Sequence, residues 1–169
     1  MSNTTVQSLS RATTATFEEL ALLFPEMELS PEQAAAPLDV AVSVDFRGPL
    51  MGRLVVRASA NVLPAIAANM LGADQSRHQL LQRDALGEIA NVICGHVLPL
   101  IAGADVIFNL AAPVVHENGT LPSRDIDEPV ARIQVGVEDG RAEARLYLFG
   151  NGREDARSDT RSAQAVVAA

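Results

Sequence analysis

The sequence predicts a single α+β domain in which one long helix and shorter helical companions pack on a twisted antiparallel sheet. Three observations carry this prediction. Side chains alternate with a period of two from Leu38 and again from Val130, as in strands with one packed face. Between those runs, Leu86, Ile89, Ala90, Ile93, Val97 and Leu100 recur at steps of three and four, one stripe of a helix spanning Asp84 to Gly103. The chain has 169 residues, 48% of them hydrophobic, which suits one globular core and requires no internal boundary.

In chain order, residues 1–13 read as a flexible polar tail and residues 14–150 as the domain. Thr14 or Thr16 caps a first helix, TFEELALLFPE, whose Phe17, Leu20, Ala21 and Phe24 form an apolar stripe ended near Pro25. Met27 to Pro37 reads as a loop with a turn or brief helical start at Ser30-Pro31-Glu32. Val40, Val42, Val44 and Phe46 then alternate with Asp39, Ala41, Ser43 and Asp45. Arg47-Gly48-Pro49 reverses the chain, and Met51 to Ala58 returns as the second strand of an antiparallel hairpin. Ala60 to Met70 is a short helix with Ser59 as its cap, Pro64 near its first turn and Gly72 as its stop.

The long helix begins as early as Leu80, with Pro99 kinking its last turn before Gly103. Asp105 to Ala112 is a third strand carrying Val106, Phe108 and Leu110 on one face. His116 to Pro129 is polar and reads as a long loop. Val130 to Val137 and Ala142 to Phe149 form a hairpin about Glu138-Asp139-Gly140. Residues 151–169 lack a stable apolar period and read as a mobile C-terminal tail.

Composition removes several function classes. With 21 acidic against 13 basic residues, the formal charge of -8 disfavours a nucleic-acid partner. No basic amphipathic stretch suits a membrane surface. No apolar run of about 18 residues is free of a Gly, Pro or His break, and the N-terminus has no signal core. The expected location is cytoplasmic. Cys94, the one cysteine, falls in the apolar half of the long helix and reads as core filler. His78, His96 and His116 share no metal-ligand spacing, so no metal site is predicted. Gly48 and Gly52 open no helix and carry no phosphate-loop pattern; they are turn residues.

The unusual polar pair of the chain lies on the long helix. Asp84, Glu88 and Asn91 follow helical steps on a face that continues into Gly95 instead of the long charged residues that normally pad a solvated helix. Gly87 and Gly95 trim the surface about them into a low ridge that a second protein's backbone can approach closely. The spacing alone is also that of ordinary surface residues. Asp84 is assigned a structural role near the positive end of the helix dipole. Arg83, turned by about 100° from Asp84, is expected to tolerate replacement.

These residues carry a resemblance. Asp84, Glu88 four residues on, Asn91 three further and Pro113 at a distance resemble the signature of the CheC/CheX/FliY phosphatases of bacterial chemotaxis. Asn69-Met70-Leu71-Gly72 ahead of the helix and Asp84-Ala85-Leu86-Gly87-Glu88-Ile89-Ala90-Asn91 within it make the likeness CheX-type over roughly residues 16–150. Pro113 stands about one residue nearer Asn91 than the family pattern places it. The single Glu/Asn pair is similar to CheX and unlike the two-site CheC pattern. The resemblance implies a phosphatase acting on a phosphorylated CheY-like response regulator, with Asn91 aligning a water and Glu88 pairing with the regulator's lysine. It implies no cofactor bound by this chain, magnesium carried by the regulator, and a homodimer. A noncatalytic domain that binds a response regulator or another signalling protein is the alternative.

Overall fold

The computed structural model describes residues 2–120 and 128–149. Among them are four α-helices and six strands, arranged as the predicted α+β class. The predicted 151–169 tail and much of the predicted 116–129 loop lie outside the described residues.

Helix α1 runs Asn3–Leu20, which corrects the expectation of a loose tail over residues 1–13. Val6, Leu9, Thr13, Thr16 and Leu20 recur at steps of three and four, and Leu9, Ala12, Thr13, Thr16 and Phe17 are buried. Thr16 is no cap: its hydroxyl donates to the Ala12 carbonyl one turn back, which removes a polar group from the packed face. The helix ends sooner than the apolar letters suggest. Leu22 takes a positive φ of 54° and Phe24 is 77% exposed, so the chain leaves the helix axis before Phe24 can join the stripe.

From there the chain passes the edge of strand β5 (Ala131–Val137), bonding Glu26 to Gly136 in both directions. The turn or brief helical start expected at Ser30-Pro31-Glu32 is helix α2 (Pro31–Ala35), which forms because Ser30 and Gln33 complete a reciprocal capping box. Gln33 occupies the space over Gly136 and donates to the Glu138 carbonyl. Val135 and Val137 point into the core, so Gly136 and α2 lie on the opposite sheet face.

Strands β1 (Val40–Arg47) and β2 (Gly52–Ala58) pair antiparallel, and β2 pairs with β6 (Gly140–Leu148), which pairs with β5. The other edge of β1 is shared by two short pieces, β3 (Asn109–Leu110) and β4 (Val114–Glu117). This corrects the expected third strand over 105–112 and the placing of His116 and Glu117 in a loop. From Leu110 to Val114 the edge advances four residues while β1 advances three, Phe46 to Ser43, so one residue is bulged out. Pro113, with no N–H to give a ladder, sits in that interruption.

Helix α3 (Leu63–Leu71) has Pro64 in its first turn and stops at Gly72, whose φ of 105° suits glycine. Helix α4 (Gln79–Ala102) packs on α1, α3 and the sheet. Leu86, Ile89, Ala90, Ile93 and Val97 are buried as their spacing requires, each large apolar side chain contributing roughly 1.5–3 kcal/mol. Leu100 departs from the stripe and is 45% exposed. By length and composition alone α4 could cross a membrane, but nine of its residues are packed inside this fold.

Candidate functional site

At about 100° per residue, Asp84, Glu88, Asn91 and Gly95 of α4 fall within a sector of roughly 60°. Asp84, Glu88 and Gly95 are exposed and Asn91 is half-buried, so the predicted ridge is present on the outside of the helix. Among the described residues, neither Glu88 nor Asn91 has a side-chain hydrogen bond or ion pair. Both polar heads are therefore available to a second molecule. Asp84 lies in the second turn, past the free N–H groups of the helix start, so the dipole role expected of it is weak.

The motif proline is brought to this ridge from the other layer. A Cβ built on Gly87 would lie 3.3 Å from Pro113 Cβ, so the missing side chain lets the bulged edge of the sheet settle against the helix beside Glu88. One turn earlier, Arg83 clamps the same edge: its Nε and one terminal nitrogen donate to the two Glu117 carboxylate oxygens at 2.7 and 3.1 Å. These bonds hold the Glu117 carboxyl below its ordinary pKa. The two contacts run α4 antiparallel to β4. Arg83 is thus a structural clamp and not the neutral position expected from its angle. The shortened Asn91 to Pro113 spacing does not take Pro113 away from the helix, because the bulge delivers it to Gly87.

Gly95 differs from Gly87. Among the described residues nothing lies within 4 Å of a Cβ built there, so none of them requires its absence. Glycine at such a position costs roughly 0.5–1 kcal/mol of helix stability relative to alanine. One turn later Pro99 stands inside the helix, exposed, and supplies no N–H to the Gly95 carbonyl. Two of the least helix-favouring residues therefore follow the Glu88/Asn91 pair on its own open face.

The ridge holds no nucleophile. Burial pushes the Cys94 thiol up to about 12, with Asp45 adding to the shift, so Cys94 is the inert core residue expected. Among the described residues no group of three or more His, Cys, Asp and Glu side chains comes together to hold a metal. His116, predicted in a loop, lies on β4 with Nε2 2.8 Å from the nearly buried Ser43 hydroxyl, away from the ridge on the opposite sheet face. The site supplies a neutral amide and a carboxylate side by side. It can position a group by hydrogen bonds and pair with a cation.

Pro113 stands beside Glu88 on α4, but the contacts that join the two layers carry no local signal in the sequence. Glu117 reads as a loop residue, and nothing local indicates that Arg83 reaches it across 34 positions.

Comparison with known proteins gives the same outline. The family model described as chemotaxis phosphatase CheX matches residues 40–134, a range that holds Asp84, Gly87, Glu88, Asn91 and Pro113. A search of curated protein sequences finds no significant match. Among solved structures, a chemotaxis protein CheX from Desulfovibrio desulfuricans superposes with a TM-score of 0.67 at 22% identity, covering 86% of this chain and 99% of that one. The chemotaxis protein CheX from Vibrio vulnificus gives 0.68 at 19% identity, covering 86% and 96%. A CheX-CheY-BeF3-Mg2+ complex from Borrelia burgdorferi gives 0.57 at 13% identity, covering 86% and 97%. At these identities the structures speak for the fold, while the family model spans more than half of the sequence and the whole of the ridge. The chain belongs to the chemotaxis phosphatase CheX family.

Proposed function

We propose that this protein accelerates hydrolysis of the aspartyl phosphate on a CheY-like response regulator in the cytoplasm, with Glu88 and Asn91 as its working side chains. The observation that carries the reading is the pair itself: an amide and a carboxylate one turn apart on an open helix face, with no partner among the described residues. The Borrelia complex, of the same fold, holds a CheY with BeF3 and magnesium, which supports a regulator as the partner here.

In the mechanism, the regulator brings the phosphoryl group, the magnesium and a lysine. Asn91 inserts beside the phosphoryl group, donates from its amide nitrogen and accepts through its oxygen, and so holds a water in line with the leaving carboxylate. A carboxylate there would repel the attacked face; a neutral amide does not. Glu88 pairs with the lysine and sets the register of docking.

The test is to phosphorylate candidate regulators with a small phosphodonor in magnesium, add the protein and follow phosphate release. Glu88→Ala should weaken binding by roughly tenfold or more and also lower the rate, because the ion pair forms before the chemical step and persists through it. An unchanged affinity for Glu88→Ala would remove the docking role. Binding confined to the phosphorylated regulator, with no acceleration by wild type, would make the protein a noncatalytic docking domain.

The reading includes a homodimer. Among the described residues, edge strand β4 has no strand on its outer side, Val114 and Val115 on it are exposed, and Ile107 is 83% exposed, a surface that suits pairing with a second copy. Light scattering on a sizing column should give twice the chain mass; a monomer mass at working concentration would contradict it.

A further inference from the structure

The α4 ridge does not end at Asn91. It runs through Gly95 into a groove of about 360 Å³ between α4 and α1, lined by Arg11, Ala15, Gly95, His96, Pro99 and Leu100. Its floor is mainly apolar. Arg11 and His96 stand exposed at its rim, and among the described residues neither has a side-chain partner. In a chain of formal charge -8, the Arg11 guanidinium at an apolar groove is a local positive charge, and the His96 ring beside it can donate a hydrogen bond. Asp84 and Glu88 thus stand toward the start of the exposed face of α4, and the Arg11 charge stands beside its later turns.

The helix is also bare at the groove, where Gly95, His96, Pro99 and Leu100 are exposed. Alanine at position 95 would strengthen α4 without meeting any atom within 4 Å, and a residue with an N–H at position 99 would satisfy the Gly95 carbonyl. Among the described residues, no contact requires glycine at position 95. What glycine at 95 and proline at 99 do provide is an open notch, a backbone acceptor at its edge, and a path continuous with Asn91.

We propose that this groove is a second docking subsite for the response regulator, seating an apolar regulator side chain in the Gly95 notch while a neighbouring regulator carboxylate pairs with Arg11 and accepts a hydrogen bond from His96. The inference rests on the docking reading above and adds a chemical requirement to it. The accepted regulator carries a basic group opposite Glu88 and, about two turns of α4 away, an apolar residue beside an acid.

The test measures Kd for a CheY-like regulator held in its activated form by beryllium fluoride and magnesium, using the full chain and its Gly95→Ala, Gly95→Leu, Arg11→Glu and Glu88→Ala variants. Gly95→Leu fills the notch and Arg11→Glu reverses the rim; each should raise Kd about tenfold or more. Gly95→Ala should lie between wild type and Gly95→Leu while its melting temperature stays at or above that of wild type, which separates lost docking from lost folding. If Gly95→Leu and Arg11→Glu bind within about twofold of wild type while Glu88→Ala is weakened, the groove is not a subsite and the docking reading stands. If the wild-type chain binds no activated regulator from its own cell, both fall.

Discussion

Replacing Glu143 with alanine should destabilise the fold by about 3–5 kcal/mol, seen as a fall in the denaturant midpoint at pH 7. Glu143 is 1% exposed in the middle of β6, on the sheet face opposite the core. Its carboxylate accepts from Arg145 Nε at 2.7 Å, Arg132 Nε at 2.8 Å, Gln134 Nε2 at 3.1 Å and a terminal nitrogen of Arg57 at 3.3 Å. Alanine would leave three guanidinium groups from three strands converging without their anion. Burial by itself raises the Glu143 pKa, but the hydrogen bonds from Arg145, Arg132 and Gln134 outweigh it and hold the group at about 2.

The pH dependence follows from that direction. Because the folded pKa is lowered, the unfolded chain binds this proton more readily, so the Glu143 contribution is complete above the ordinary carboxyl range of about 4.3 and is lost as pH falls toward about 2. Glu143→Gln keeps the shape and removes the charge. Its stability should be well below wild type at pH 7, and the gap should narrow on acidification between those limits. A Glu143→Gln variant as stable as wild type at pH 7 would show that the cluster contributes nothing net.

The sequence displays this cluster only as polar alternation. Arg141, Glu143 and Arg145 look like the wet side of a strand, and nothing local reveals that Arg57 and Arg132 come from adjacent strands to close over the carboxylate. The elements that were legible are those whose signal is local and repeated. The β1–β2 and β5–β6 hairpins and the buried part of α4 follow from period and turn chemistry. The first half of α1 was not legible because Val6 and Leu9 are its only large apolar residues among Asn, Thr, Gln, Ser and Arg, too few to display a stripe. Strand β4 was not legible because an edge strand with exposed Val114, Val115 and Glu117 buries too little to impose alternation. At the site, the same division holds: Glu88 and Asn91 are one helix's property, whereas the Gly87 to Pro113 contact and the Arg83 to Glu117 clamp belong to the packing of two layers.

The second large effect concerns the chemistry. Replacing Asn91 with alanine should slow phosphoryl hydrolysis by about tenfold to a thousandfold, while affinity for the activated regulator changes little. The asymmetry arises because the amide's bonds to the attacking water strengthen as the reaction proceeds, whereas ground-state docking is carried by Glu88. Truncation at this half-buried, externally directed position removes no internal hydrogen bond, so the fold should retain its stability and a lost rate can be read as lost alignment.

The most direct measurement is the first-order rate of phosphate loss from a phosphorylated CheY-like regulator, with the wild-type chain and then Asn91→Ala present at saturating concentration. The account predicts that the wild-type chain accelerates the loss well above the regulator's own rate and that Asn91→Ala, although bound, leaves it near that rate. Acceleration by Asn91→Ala equal to that of wild type would contradict it.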